Sequence, residues 1–281
     1  MNWEETIIFI RKQPEYADLV KTAYLDGNLE LNVQRYMSGK EWKETRRHVC
    51  EYAPKAVDIL DVGGGNGISS VAFAQAGFNV TVVEPDPSLS VGAGAIRLLK
   101  ERLQLSGLTV VQAYAENVDL QNRRFDVVFC RQALHHANSL TNFVGNISKY
   151  LNPGGMLFSV RDHVVFCQAD KEWFLKSHPL QKYYGGENAF APAEYRHAFK
   201  KAGFTIYREY GFFDSAINYY PLSADDVGGL VSKQNGLSVV GLLRYLRHRI
   251  VKFHNLRHSV AKIVAERSIP GRMYSYLAFK S

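Results

Sequence analysis

Residues Ile59-Leu60-Asp61-Val62-Gly63-Gly64-Gly65-Asn66-Gly67 decide the fold of this 281-residue chain. The run from Val57 to Val62 reads as a buried strand that passes directly into a glycine turn. Glycine tolerates strained backbone angles there, and lets a ligand approach where a Cβ would clash. Downstream, a helix over 68–76 ends at Gly77, and 79–84 is a second strand. The alternation continues with a helix over 89–105 and strands at 109–112 and 125–130. A helix over 140–151, a turn at Asn152-Pro153-Gly154-Gly155 and a strand at 156–161 follow. Val127 to Cys130 is apolar throughout, as a strand buried on both faces should be. A helix at 192–202 and strands at 204–210 and 273–279 bring the count to seven strands. Strands alternating with helices at this spacing predict an α/β fold with a mostly parallel, doubly wound sheet.

Seventeen residues after Gly67, at the end of the second strand, stands Glu84. A carboxylate there can accept hydrogen bonds from both ribose hydroxyls of a nucleoside. Two ligands compete. A dinucleotide such as NAD calls for G-x-G-x-x-G and a helix N-terminus facing a pyrophosphate. Here the spacing is G-x-G-x-G, and the acid Asp61 precedes it. That acid would repel a diphosphate but suits the ammonium of an amino-acid moiety, directly or through water. S-adenosylmethionine, cationic and free of phosphate, fits better.

With ILDVGGGNG, VVEPD, FDVVFCRQALHH and LNPGG in this order over 57–160, the chain resembles the class I methyltransferase family. The resemblance implies a seven-stranded, mostly parallel doubly wound sheet whose last strand is antiparallel, with N-terminal helices and helical insertions. It also implies that Gly63, Gly65 and Gly67 line the methionine moiety, Glu84 holds the ribose and Asp86 lies near the ribose or adenine edge. The stretch Ala113-Tyr114-Ala115-Glu116 would meet the adenine. Many relatives carry Asp where Tyr114 stands, so Glu116 or a backbone carbonyl would replace it. Asp61 and Arg131 complete the expected cofactor set.

Ligands of open parallel sheets sit beyond the carboxyl ends of the strands. Arg131, Gln132, His135 and His136 follow the fourth strand, and Arg161-Asp162-His163 ends the fifth. His163, with Asp162 orienting it or binding substrate, and His136 are therefore the candidate bases for a hydroxyl acceptor, imidazole titrating near neutrality. The paired histidines lack the spacing of HExxH or other ligand motifs, so no metal is expected. His178 to Asn188 is a candidate lid. Arg35, Tyr36, Ser38 and Trp42 are expected to close over the cofactor from the N-terminal side.

The expected organisation is an N-terminal helical cover at 1–53 and a core at 54–211 and 272–281, with an insertion over the sheet's edge at 163–191. A basic helical insertion or cap follows at 212–271. The net charge of +7 is concentrated: residues 240–272 hold eight Lys or Arg against Glu266 alone. Within them an amphipathic helix with a cationic face is expected, either packed as a cap or facing an anionic or membrane-associated substrate; nucleic acid is disfavoured. Three scattered cysteines without CxxC spacing, no secretory signal and no spanning run suit a cytoplasmic protein, peripheral to a membrane at most. The functional expectation is methyl transfer from S-adenosylmethionine to a small metabolite, sugar or lipid-linked biosynthetic intermediate, at oxygen first. N- or C-methylation, a catalytically silent binding module and an NAD-dependent oxidoreductase remain open.

Overall fold

The structure, a computed structural model, describes residues 1–234 and 262–281. α1 (Trp3–Ile10) opens on a reciprocal cap: Asn2 Oδ1 accepts from the Glu5 amide while the Glu5 carboxylate accepts from the Asn2 amide. The helix does not run on past Ile10, because Pro14 can neither donate a backbone hydrogen bond nor sit inside a helix. The chain resumes as α2 (Ala17–Thr22), α3 (Leu29–Ser38) and α4 (Lys40–Tyr52).

The alternating unit then runs β1 (Asp58–Val62), α5 (Ile68–Gln75), β2 (Asn79–Val83), α6 (Ala93–Arg102) and β3 (Leu108–Val111). β4 (Phe125–Arg131), α7 (Leu140–Ser148) and β5 (Leu151–His163) follow, then α8 (Gln168–Ser177) and α9 (Gln181–Tyr184). The chain closes with α10 (Pro192–Lys201), β6 (Phe204–Tyr210), α11 (Ala216–Tyr219), α12 (Ala224–Gln234) and β7 (Met273–Lys280).

Among the described residues the strands form one seven-stranded sheet in the order β3-β2-β1-β4-β5-β7-β6. β3 through β5 are parallel, and β7 runs antiparallel to both β5 and β6. The chain winds outward from β1 to β3 and then returns to β4, so the winding direction reverses between β1 and β4. A crevice opens at such a reversal, beyond the carboxyl ends of the strands.

Period-two alternation supplies both faces. Leu60, Val62, Val128 and Cys130 pack beneath Val144 and Ile147 of α7 and Phe199 of α10. Ile59, Val127 and Phe129 pack on the opposite face against Val71 and Phe73 of α5, Ile96 and Leu99 of α6 and Val49 of α4. The expected turn at 152–155 is present as a loop-out within β5: Phe125 pairs with Leu151 and Val127 with Met156, and Gly154 has φ +71°.

Two expectations change. Residues 163–191 do not merely cover an edge. Leu180 packs with Ile7 and Ile10 of α1, and His178 and Glu187 reach the cavity at the strand ends. The charges of 240–272 that fall among the described residues are divided: Arg267 is exposed, whereas others are paired. Arg272 is buried and forked onto Asp170 at 2.5 and 2.8 Å, and Lys262 pairs with Asp214. Arg244, Arg247, Arg249, Lys252 and Arg257, with the expected amphipathic helix, lie outside the described residues. No described helix is long and apolar enough to cross a membrane.

Candidate active site

A cavity of about 590 Å³ opens beyond the strand ends, floored by the glycine turn and walled by β4, β5 and residues 178–187. At Gly63 φ is +76°, and a Cβ would stand 2.6 Å from that of Ala133. At Gly65 φ is +53° and a Cβ would meet nothing within 4 Å, so bare backbone faces open space. Glu84 closes this floor. Its Oε2 accepts from the Gly65 amide at 2.7 Å and its Oε1 from the Asp86 amide at 2.9 Å. Burial raises the pKa of this carboxyl to about 7 despite those two donors.

Of the expected cofactor residues, Gly63, Gly65, Glu84, Tyr114, Ala115, Glu116 and Arg131 line the cavity. Asp61, Gly67 and Asp86 do not. Asp61 lies fully buried, where its Oδ2 accepts from Ser69 and Ser70 hydroxyls at 2.8 and 2.6 Å and braces the start of α5. Burial pushes its pKa up to about 6, and its Oδ1 has no hydrogen-bond partner. Gly67 caps α5 in the left-handed conformation, and the Asp86 carboxylate accepts from the Ser88 amide within its own loop. Arg35, Tyr36, Ser38 and Trp42 also lie off the cavity, Tyr36 and Trp42 being core residues. The N-terminal wall is instead Trp3, Leu19, Thr22, Ala23 and Leu25.

A charged group that sequence reasoning missed lies at the ends of β4 and β5. Glu41, fully buried on α4, meets Arg131 Nε at 2.6 Å and Arg161 Nε at 3.8 Å. Burial opposes its charge, but the two guanidiniums outweigh it and hold the carboxyl below its usual range. Arg161 donates further to the carbonyls of Ile217 and Tyr220 at 2.6 and 3.0 Å. Two guanidiniums against one carboxylate leave a surplus positive charge on the cavity wall. Gln132 and Arg161 hold φ +51° and +61°, a conformation that nothing in their residue types announces.

The histidines form the opposite corner. His163 Nδ1 donates to the Gly271 carbonyl at 2.6 Å, and His136 Nδ1 to the Gly186 carbonyl at 3.1 Å. The expectation that Asp162 orients His163 is corrected. Asp162 accepts instead from the His135 amide and Nδ1 at 3.1 and 3.0 Å, and from Ser159. A bulge in β5 between Ser159 and Asp162 turns that carboxylate toward the loop after β4. Burial drives the pKa of His135 and of His163 well below the ordinary value, so both rings are neutral. All three donate through Nδ1, and in the neutral rings of His135 and His163 this leaves Nε2 with a free lone pair. His136 is exposed, whereas His135 and His163 are buried.

A parallel sheet with one antiparallel strand, a glycine turn at its switch point and a carboxylate ending β2 define a nucleoside-binding α/β class. A methyltransferase-domain family model matches residues 33–209, and the chain belongs to the class I S-adenosylmethionine-dependent methyltransferases. A ubiquinone biosynthesis O-methyltransferase from Rickettsia typhi is 29% identical over 100 residues, 36% of this chain and 39% of that protein. The chain thus spans well under half the length of the curated relatives it matches. A solved sarcosine dimethylglycine methyltransferase from Galdieria sulphuraria, described as putative, is similar with TM-score 0.56 and 14% identity, covering 89% of this chain and 88% of that one. The [4+2]-cyclase SpnF is similar with TM-score 0.55 and 16% identity, covering 85% and 80%.

Proposed function

We propose that this protein transfers a methyl group from S-adenosylmethionine to an oxygen of a small biosynthetic intermediate. The observation that carries this reading is that the Glu84 carboxylate, the open backbone at Gly65 and the imidazole corner share one cavity. The residues present fit the cofactor. Glu84 would accept from the ribose hydroxyls, and Gly63 and Gly65 would take the methionine moiety. The surplus charge of Arg131 and Arg161 suits its carboxylate. Tyr114, Ala115 and Glu116 would border the adenine. Asp61, Gly67 and Asp86 act from behind the wall, holding the turn and the loop after β2 in shape.

The cofactor supplies an electrophilic methyl on a good leaving group, so the chain's task is alignment and water exclusion. The oxygen–methyl bond forms as the sulfur–methyl bond breaks, and the acceptor's proton passes to a base. His163 and His136 present the free Nε2 atoms for that role. The curated relatives, named as O-methyltransferases of ubiquinone biosynthesis, support oxygen as the acceptor and an intermediate of that biosynthesis as the first compound to try.

Calorimetric titration with S-adenosylhomocysteine, followed by acceptor screening with methyl-labelled cofactor, tests the reading. Micromolar uptake and label on an oxygen are expected, whereas uptake without label on any acceptor would indicate a silent binding module. The basic residues from Arg244 to Arg257 extend the reading to an acceptor held at an anionic membrane surface. Liposome co-sedimentation at low and high salt tests that extension, and lack of binding at low salt retires it.

A further inference from the structure

His135, His163 and Glu187 come from the loop after β4, the end of β5 and the segment after α9, and nothing in their spacing joins them. One donor atom from each lies within 4.8 Å of the others, and all three residues line the cavity. The far end of every one of these side chains is already tied. His135 Nδ1 donates to Asp162, and His163 Nδ1 donates to the Gly271 carbonyl. Glu187 Oε1 accepts from the Tyr184 hydroxyl. What remains are two imidazole Nε2 lone pairs and Glu187 Oε2, on a side chain only 7% exposed. That oxygen stands 3.8 Å from His135 Nε2 and has no hydrogen-bond partner.

Two imidazoles and a carboxylate that converge in one cavity, each with its far end already bonded, are oriented to meet a shared ligand. Histidines held by a carboxylate or carbonyl through one nitrogen, with the other free, are the arrangement that orients metal-ligating imidazoles. Two histidines and one glutamate make the donor set of catalytic zinc sites, which keep a fourth position open. We propose that His135, His163 and Glu187 bind a divalent cation of the zinc class, with its open position toward the acceptor end of the cavity. Bonds of about 2.0–2.2 Å require the donors to draw together by roughly 1 Å, within the reach of side-chain rotation. An acceptor oxygen bound at the open position would lose its proton nearer neutrality; with the ion bound, His163 serves as its ligand and the proton passes to His136, the other base of the methyl-transfer reading. The inference rests on the methyl-transfer reading only for what that position receives.

The test uses untagged full-length protein stripped with chelator, then titrated with Zn²⁺ and, separately, with Co²⁺ while the visible spectrum is followed. One ion per chain and a visible band of four-coordinate Co²⁺ are expected. Asp162→Asn, which leaves all three ligands in place, should weaken binding by about 10–100-fold, and His135→Ala or Glu187→Gln by more. Substoichiometric uptake, no Co²⁺ band, or equal affinity in the Glu187→Gln variant would overturn the site. S-adenosylhomocysteine titration of the same samples separates the two readings. Nucleoside uptake without metal sinks only the cation site, and metal without nucleoside uptake sinks only the methyl-transfer reading.

Discussion

The floor of the cavity and its histidine corner differ in how the chain builds them. The floor is assembled from 61–67 and 84, two consecutive strand ends joined by one helix, and its glycines and carboxylate work within a single βαβ unit. The corner draws on 135–136, 162–163, 178–187 and the Gly271 carbonyl, and the bond from His163 to Gly271 alone spans 108 residues. A local unit can be recognised from spacing alone. A corner closed by long-range contacts depends on register, on the bulge in β5 and on the path of the lid. The floor therefore carries the motif by which the family is recognised, and the corner is where the proposed acceptor chemistry is placed.

Separating the two experimentally begins with the corner. His163→Ala is expected to lower turnover by about 10²–10⁴-fold while the affinity for S-adenosylhomocysteine stays within twofold. Wild-type turnover would remove His163 from the reaction, and lost nucleoside affinity would merge the two regions. Glu84→Gln should do the reverse. Losing charge-assisted hydrogen bonds at about 1.5–3 kcal/mol each would weaken nucleoside binding by roughly 10–100-fold. Turnover at saturating cofactor should change little, as steady-state kinetics at two cofactor concentrations would reveal.

The same carboxylate predicts a pH dependence. Its folded pKa is raised to about 7, so the folded chain holds this proton more tightly than the unfolded chain. Its contribution to stability therefore falls as pH rises from the ordinary 4.5 toward 7. Ribose binding, which uses the ionised form, should strengthen about tenfold between pH 6 and 8 if only that form binds. Calorimetry across that range should find the dependence flattened in Glu84→Gln. The smallest effect is expected at Tyr114, 64% exposed on the rim. Tyr114→Ala should change nucleoside affinity by no more than about threefold, in keeping with surface substitutions generally. A larger loss would show that this ring covers the adenine.

Most of the architecture was legible beforehand because it follows from periodicity. Apolar strand runs, glycine turns and caps placed β1, β2, β4, β6 and β7 to within one residue or so of their observed bounds. Within the N-terminal helical cover, the break between α1 and α2 falls at Pro14. The N-terminal wall was misassigned. Tyr36 and Trp42 carry aromatic rings that suit a ligand and a core equally well, and only packing tells which. Glu41 was missed because an acid on a charged helix reads as surface; the guanidiniums of Arg131 and Arg161 are what make it a buried counter-ion. Arg161 gave no warning of its left-handed backbone, since glycine or asparagine is the usual sign of one.

By itself the order of residues determined the alternating sheet, the glycine floor and the carboxylate at the end of β2, because each rests on neighbours a few positions apart. Tertiary structure alone decided that Asp162 serves His135 rather than His163, that Arg272 is an internal counter-ion, and that two histidines and Glu187 share one point. Those outcomes depend on how β5 bulges against β7 and how residues 178–187 fold back over the strand ends. Contacts across a hundred residues of chain leave no periodic trace, since loop closure constrains where segments meet and not which letters lie between them.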